Sequence, residues 1–145
     1  MIQALTNRLL DFTPKNPDES LPQAAVLILC YEKDNDLYFV MTERSNSLPS
    51  HPGEVAFPGG KREKKDKNLK QTALREATEE ISLDPAKVEI LGQLDPLESR
   101  FGLSVTPFVG ILNEKFELEP NPDEVADIFY LPLSFFKNDP LIKKE

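Results

Sequence analysis

Apolar residues recur along this chain with two different periods. Leu69, Ala73, Leu74, Ala77 and Ile81 return every three or four positions, the repeat of a helix with one buried face. Ile2, Leu5, Leu9 and Leu10 share that repeat and predict a short first helix. A proline-bearing linker over residues 13–22 follows. Residues 23–31 are nearly all apolar, with β-branched members, and predict a buried strand. Lys33-Asp34-Asn35-Asp36 predicts a turn, and residues 37–42 the returning strand of a hairpin. A long loop is expected over 42–58, with a short strand at 54–57 leading into Pro58-Gly59-Gly60. Beyond the second helix, Asp84-Pro85 predicts a turn, and residues 88–94, 103–112 and 125–131 predict strands. Loops are expected at 95–102 and 120–123, and a turn at 113–115 leads into Phe116-Glu117-Leu118. Pro107 predicts that the 103–112 strand lies at an edge or carries a bulge. Ser134 is the expected cap of a last short turn. Strands mixed with helices, without regular alternation, predict a mixed sheet of the α/β (α+β) class.

With 145 residues the chain reads as one domain, residues 1–145, in which 1–22 supply an N-terminal helix and linker. A chain of that size buries roughly 68–70% of its unfolded surface. Its net charge of −8 argues against general binding to nucleic acid or a membrane surface, so an anionic substrate must be met locally. No apolar run reaches the roughly 18 residues of a membrane span. The N-terminus lacks the pattern of a signal peptide, and Ile142-Lys143-Lys144-Glu145 is not a Ser-Lys-Leu address. The lone Cys30 cannot form an internal disulfide, which predicts a reducing cytoplasm and a small buried side chain.

Candidate chemistry gathers where the second predicted helix ends. Glu76, Glu79 and Glu80 fall within an arc of roughly 100° on the helical repeat. Like charges at this spacing disfavour a helix by roughly 0.2–0.5 kcal/mol per pair, and the helix dipole disfavours anions at a C-terminus. Solvation on an open face offsets that cost, and so does a bound cation such as Mg²⁺, which prefers carboxylate and phosphate oxygens. The charge pattern leaves both readings open. Arg75 is read as structural, pairing with Glu79 one turn on or with acids before the helix. Lys61, Arg62, Lys64, Lys65, Lys67 and Lys70 form a basic block, read either as a solvated loop or as a steering patch for an anion.

The stretch GGKREKKDKNLKQTALREATEEISL resembles the Nudix box of Nudix hydrolases. Gly60, the run Arg75-Glu76-Ala77-Thr78-Glu79-Glu80 and Leu83 match that box. Asp66 stands in place of the usual glutamate, one extra residue separates it from Arg75, and Ser82 replaces the glycine that would ease a left-handed helix end. The first two departures are similar to the variant carried by coenzyme A pyrophosphatases of that family. Val40-Met41-Thr42-Glu43-Arg44-Ser45, Leu48, Gly53-Glu54 and Phe57-Pro58-Gly59-Gly60 resemble that subgroup's upstream signature, with Pro49 where arginine is common. The resemblance covers residues 24–136. Such pyrophosphatases continue past Leu131-Pro132-Leu133 with another strand and a closing helix, so the chain reads as a short protein or a truncated one.

The resemblance implies an α/β/α sandwich and a pyrophosphatase using Mg²⁺ or Mn²⁺. It implies Glu76, Glu79 and Glu80 as metal ligands, together with the Gly60 carbonyl. Glu76, Glu79 and Glu124 are the implied catalytic residues. Glu124 lies in an Asn121-Pro122-Asp123-Glu124-Val125 setting similar to one whose glutamate approaches the metal, as ligand or general base. Arg44, Ser45, His51, Lys61 and Arg100 are the candidate substrate contacts, with Arg44 a bidentate phosphate partner or a strand-end surface arginine. The implied substrate is coenzyme A, cleaved to 3′,5′-ADP and 4′-phosphopantetheine. ADP-ribose or a dinucleotide is the alternative, and a catalytically silent nucleotide- or protein-binding module is a reading of another class. Oligomeric state stays open, with a homodimer among the options.

Overall fold

The computed structural model describes residues 1–113 and 116–137. Its elements are α1 (Ile2–Asp11), β1 (Gln23–Lys33), β2 (Asp36–Arg44), β3 (Val55–Ala56), β4 (Gly59–Lys61), α2 (Leu69–Ile81), a 3₁₀ turn (Pro85–Lys87), β5 (Val88–Gln93), β6 (Leu97–Glu98), β7 (Ser104–Leu112), β8 (Val125–Pro132) and α3 (Leu133–Lys137). Glu114 and Lys115, in the expected 113–115 turn, and the C-terminal residues 138–145 lie outside the described residues.

The eight strands form one mixed sheet, in the order β3-β2-β1-β7-β5. β4 adds to β1, β6 to β7 and β8 to β2. β1 and β7 run parallel from Gln23↔Ser104 to Cys30↔Ile111, and the other pairs are antiparallel. Side chains alternate across a strand, and here both faces are covered. Leu27, Leu29, Val40, Phe108 and Leu112 pack with Ala73, Ala77 and Ile81 of α2. Their neighbours in sequence, Cys30, Leu37 and Ile111, face the other way, against Ile2 and Leu5 of α1 and Leu133 of α3. Helices on both faces of the sheet make the expected α/β/α sandwich.

The helix over 69–81 matches the apolar repeat, and α1 and β1 to β3 match the pattern to within two or three residues. Four expectations need correction. Gly59–Lys61 is a strand, because β1 accepts it at Ala24↔Lys61 and Val26↔Gly59, so Lys61 is not in the solvated loop read for the basic block. Leu97–Glu98 pairs with β7 inside what the pattern reads as loop. Pro107 lies in a central strand, not an edge. It falls between the last β5 pair, Gln93↔Phe108, and the first β6 pair, Leu97↔Val105. At that gap β7 offers only its carbonyl, which accepts from Leu94 N–H at 2.9 Å, so the missing N–H of proline is not needed there. Ser134 lies within α3 and donates to Asp36 Oδ2 at 3.1 Å, so its hydroxyl bonds a neighbouring strand instead of capping the turn.

Ser82 closes α2 in the left-handed region, at φ 59° and ψ 34°, and its hydroxyl donates to the Glu119 carbonyl at 3.2 Å. A left-handed conformation costs a residue other than glycine roughly 1–2 kcal/mol, and β-branched residues adopt it least readily. Ser82→Val should therefore be less stable than Ser82→Gly by at least about 1–2 kcal/mol in urea. Equal stability of the two variants would contradict this account of the helix end.

Candidate active site

The site is built around the last two turns of α2 and the strand that crosses them. Asn68 starts the helix, its side chain accepting from Gln71 N–H at 2.9 Å. Just before it, Asp66 is buried, and four donors meet its carboxylate. Arg75 Nε and Nη2 donate at 2.8 and 3.0 Å, the Thr72 hydroxyl at 2.9 Å, and Glu63 N–H at 2.9 Å. The Arg75 bonds, first among these causes, hold the Asp66 carboxyl well below the usual carboxylate range. Arg75 reaches three further acids through Nη1: Glu76 at 3.0 Å, Glu63 at 3.1 Å and Glu79 at 3.2 Å. Its Nη2 also donates to the Lys61 carbonyl at 3.0 Å. The structural reading of Arg75 holds, with both kinds of partner present at once.

Beyond Arg75 the acids are less well satisfied. Gly60 passes so close to Glu76 that a Cβ there would lie 2.5–2.8 Å from the carboxylate atoms. Gly59 N–H donates to Glu80 Oε1 at 2.9 Å. Burial pushes the Glu80 carboxyl from 4.5 up to about 8, and the charges of Glu76 and Glu124 push in the same direction. Burial also raises Glu76, against the lowering effect of Arg75. Glu124 precedes β8, and its Oε2 is buried without a hydrogen-bond partner. Ser45 N–H donates to the Glu124 carbonyl at 2.9 Å, fixing that corner to the end of β2.

A cleft of about 700 Å³ opens over this corner. Glu80, Glu124, Arg44, Lys61, His51 and Phe101 are among its lining residues. The strand end at Arg44 faces this cleft, and its Nε and Nη2 donate to the Ser50 carbonyl and hydroxyl at 2.7 and 3.4 Å. One edge of the guanidinium fork is thus already engaged. His51 pairs with Glu54 at 3.4 Å. Two of the expected substrate contacts are not brought into the cleft wall. Ser45 is buried, with its hydroxyl 2.8 Å from that of Ser47, because the chain turns back there towards Glu124. Arg100 is exposed beside the cleft, its guanidinium 4.9 Å from the centre of the Phe101 ring. In the basic block, Arg62 Nη2 donates to the carbonyls of Asp66 and Lys67 at 3.3 and 3.1 Å, so this part of the block is bound to the loop it lies in.

Among the described residues, no group of three His, Cys, Asp or Glu side chains is gathered tightly enough to hold a metal ion as it stands. Glu79 is turned to Arg75 and Glu80 to Gly59. The donors nevertheless fit a hard divalent cation in kind. They are all oxygens, they repel one another, and one, Glu124 Oε2, is buried without a partner. Phe101 and Glu54 also line the cleft, and the residue pattern did not single them out as site residues. Both lie in loops, where no apolar period marks a position. Only the Gly53-Glu54 pair in the upstream signature carried a signal.

A helix ending Arg-Glu-Ala-Thr-Glu-Glu, a glycine pair laid against it and a mixed sheet between helices define a Nudix domain. The chain belongs to the Nudix hydrolase family, whose NUDIX domain matches residues 21–144. Among its relatives, Nudix hydrolase 15, mitochondrial, of Arabidopsis thaliana is 47% identical over 86% of this chain and 45% of its own length. NudL of Photorhabdus laumondii, named an uncharacterized Nudix hydrolase, is 49% identical over 83% of the chain and 64% of its own length. The peroxisomal coenzyme A diphosphatase NUDT7 of Mus musculus is 44% identical over 77% and 48%. These relatives are consistent with a coenzyme A pyrophosphatase-like subgroup, and the chain spans about half to two thirds of their length. Of solved structures, a C. elegans Ap4A hydrolase complex superposes with a TM-score of 0.65 at 20% identity, over 79% of this chain and 82% of that one. The NUDIX domain of Shewanella oneidensis NrtR, solved with ADP ribose, gives 0.64 at 21%, over 95% and 94%. At these identities the likeness is one of fold. No helix among the described residues is long and apolar enough to cross a membrane.

Two stability tests follow from the opposed acids. Asp66→Ala removes the side-on partner of Arg75, which keeps Glu63, Glu76 and Glu79, and leaves the Glu63 N–H without its acceptor, so it should cost about 1.5–3 kcal/mol by denaturant unfolding. An effect below about 1 kcal/mol would contradict the bridge. Glu80 is raised on folding, so its favourable contribution is complete below 4.5 and is lost as pH rises through about 8. Without added metal, Glu80→Gln should melt higher than wild type at pH 9 and lose that advantage near pH 4. A constant difference across this range would count against the burial of an ionisable Glu80.

Proposed function

We propose that this Nudix domain hydrolyses the diphosphate of a nucleoside diphosphate derivative, with coenzyme A or its derivatives as substrate. The observation that carries the reading is the cluster of half-buried, mutually repelling acids: Glu80 and Glu124 line the same cleft as Arg44 and Lys61, and Glu76 lies behind them one helical turn from Glu80. A phosphate group alone would be repelled there. A divalent cation, Mg²⁺ or Mn²⁺, when bound, would neutralise phosphate charge and act as Lewis acid. Glu76, Glu79, Glu80 and the Gly60 carbonyl are the groups to hold it. Glu124 is then the group to accept a proton from water at Oε2, the oxygen without a partner. Arg44 and Lys61 receive the phosphates from the cleft side, with Arg44 exchanging Ser50 for a phosphate oxygen. The choice of coenzyme A rests on the upstream signature and on the 44% identity to the mouse coenzyme A diphosphatase. A buried, unpaired Cys30 supports a reducing compartment such as the cytoplasm, while the relatives' names place theirs in mitochondrion, chloroplast and peroxisome.

The test is turnover of coenzyme A, dephospho-coenzyme A and ADP-ribose by purified protein with Mg²⁺ or Mn²⁺. Wild type should cleave coenzyme A with kcat/KM at least about tenfold above dephospho-coenzyme A, a factor equivalent to about 1.4 kcal/mol of differential binding. Glu80→Gln should lower kcat by several orders of magnitude. Saturating metal should raise the melting temperature of wild type, since a ligand of the native state stabilises it. Faster cleavage of ADP-ribose would move the substrate, and wild-type rates in Glu80→Gln would remove the metal assignment.

A further inference from the structure

We propose that Phe101 is a stacking platform in this cleft for the planar base of a nucleotide. Phe101 is 57% exposed and belongs to neither of the two apolar cores. The other phenylalanine in the cleft wall, Phe57, is only half-exposed and packs edge-on against Phe39 of the sheet at 6.2 Å, whereas the neighbours of Phe101 are themselves loop residues. A tight turn fixes its backbone, with Ser99 Oγ accepting from the N–H groups of Phe101 and Leu103 at 3.3 and 3.1 Å. The ring lies 4.5 Å from that of His51, at 61° between planes, and the Arg100 guanidinium lies over the ring, 4.9 Å from its centre, so a base stacks on the face away from Arg100 or takes its place.

An exposed apolar ring on a loop loses free energy to water unless something covers it. Aromatic rings take bases by stacking, whichever base it is, because every base has a π-face. The contacts to His51 and Arg100 fix the ring beforehand and lower the ordering cost of binding. The acids and Arg44 in the same cleft suit the phosphate end of such a molecule, and Phe101 suits its apolar end. The inference rests on the reading above only in taking the cleft to receive a nucleotide. It does not depend on coenzyme A being the one.

The chain contains no tryptophan, so Phe101→Trp places a lone fluorescent reporter on the platform. AMP and ribose 5-phosphate serve as probes, alike in phosphate and sugar and different in the base. AMP should quench the indole of Phe101→Trp saturably, and ribose 5-phosphate should not. By calorimetry, Phe101→Ala should weaken AMP binding about 5- to 150-fold, the range of one base–aromatic stack, and leave ribose 5-phosphate as in wild type. Equal effects of the two probes, wild-type AMP affinity in Phe101→Ala, or no AMP binding to wild type at millimolar concentration would each overturn the proposal. Coenzyme A turnover separates the two claims. AMP stacking without coenzyme A cleavage keeps the platform and rejects the substrate. Cleavage with unaltered AMP binding in Phe101→Ala keeps the substrate and rejects the platform.

Discussion

The ion pair between Arg75 and Asp66 is the constraint on which the site depends. A cluster of acids at a helix C-terminus is opposed by both its own repulsion and the dipole. Arg75 offsets this by bringing one delocalised charge within 3.2 Å of Glu63, Glu76 and Glu79. Its position is set by Asp66, which meets the guanidinium side-on through two bonds and is itself held by Thr72 and the Glu63 N–H. The basic, lysine-rich loop is thus anchored at its one buried acid. The ion pair is largely out of water, so it is weak evidence for net stability, but its geometry decides where Glu76 and Glu79 point.

Backbone proximity does the remaining positioning. β4 runs beside β1 and carries Gly59 and Gly60 across the end of α2. Neither position has room for a side chain: a Cβ on Gly60 would meet the Glu76 carboxylate, and one on Gly59 would meet Val26 Cα at 2.7 Å. The result is a backbone N–H, that of Gly59, aimed at Glu80. Glu80 keeps one good hydrogen bond while losing most of its water, which is why desolvation wins and its carboxyl rises to about 8. Unlike Asp66, Glu76 and Glu79, Glu80 has no cation among its hydrogen-bond partners. A site in this state has a strong drive to take up positive charge, as a proton or as a metal ion.

Much of this was legible in the sequence, and the limits have physical causes. The helix over 69–81 was readable because five apolar residues mark its buried face, and Ser82 proved to need the left-handed turn that its place in the box implies. The three acids could be placed on one face by spacing alone. Their unequal environments could not, because Arg75 engages Glu76 and Glu79 while β4, a strand without an apolar signal, engages Glu80. Glu124 is far from the helix in sequence, and it is brought over the site by the pairing of β8 with β2 and by Asn121, whose N–H and side-chain amide donate to the Glu80 and Glu79 carbonyls at 2.9 and 3.2 Å. Ser45 shows the opposite limit. Its place in a signature suggested substrate contact, whereas its backbone bond to Glu124 makes it part of the frame. Pro107 misled for a related reason, since a proline is tolerated in a central strand wherever the neighbouring strand is interrupted.

The cleft therefore has two regions of different physical origin. Its acidic corner comes from regular elements, α2, β4 and the start of β8, and its groups are fixed by ladder and helix geometry. Its other wall comes from the loops carrying His51 and Phe101, which meet ring to ring at 4.5 Å. A reaction centre needs the first kind of support, because errors of an ångström at reacting atoms are costly. Recognition of the rest of a substrate tolerates the second kind. Loops can change residue without disturbing the sheet. On this architecture the proposed reaction centre is tied to the elements whose pattern is readable, and the proposed substrate contacts to loops whose pattern is not. Sequence alone therefore speaks clearly about the first and faintly about the second.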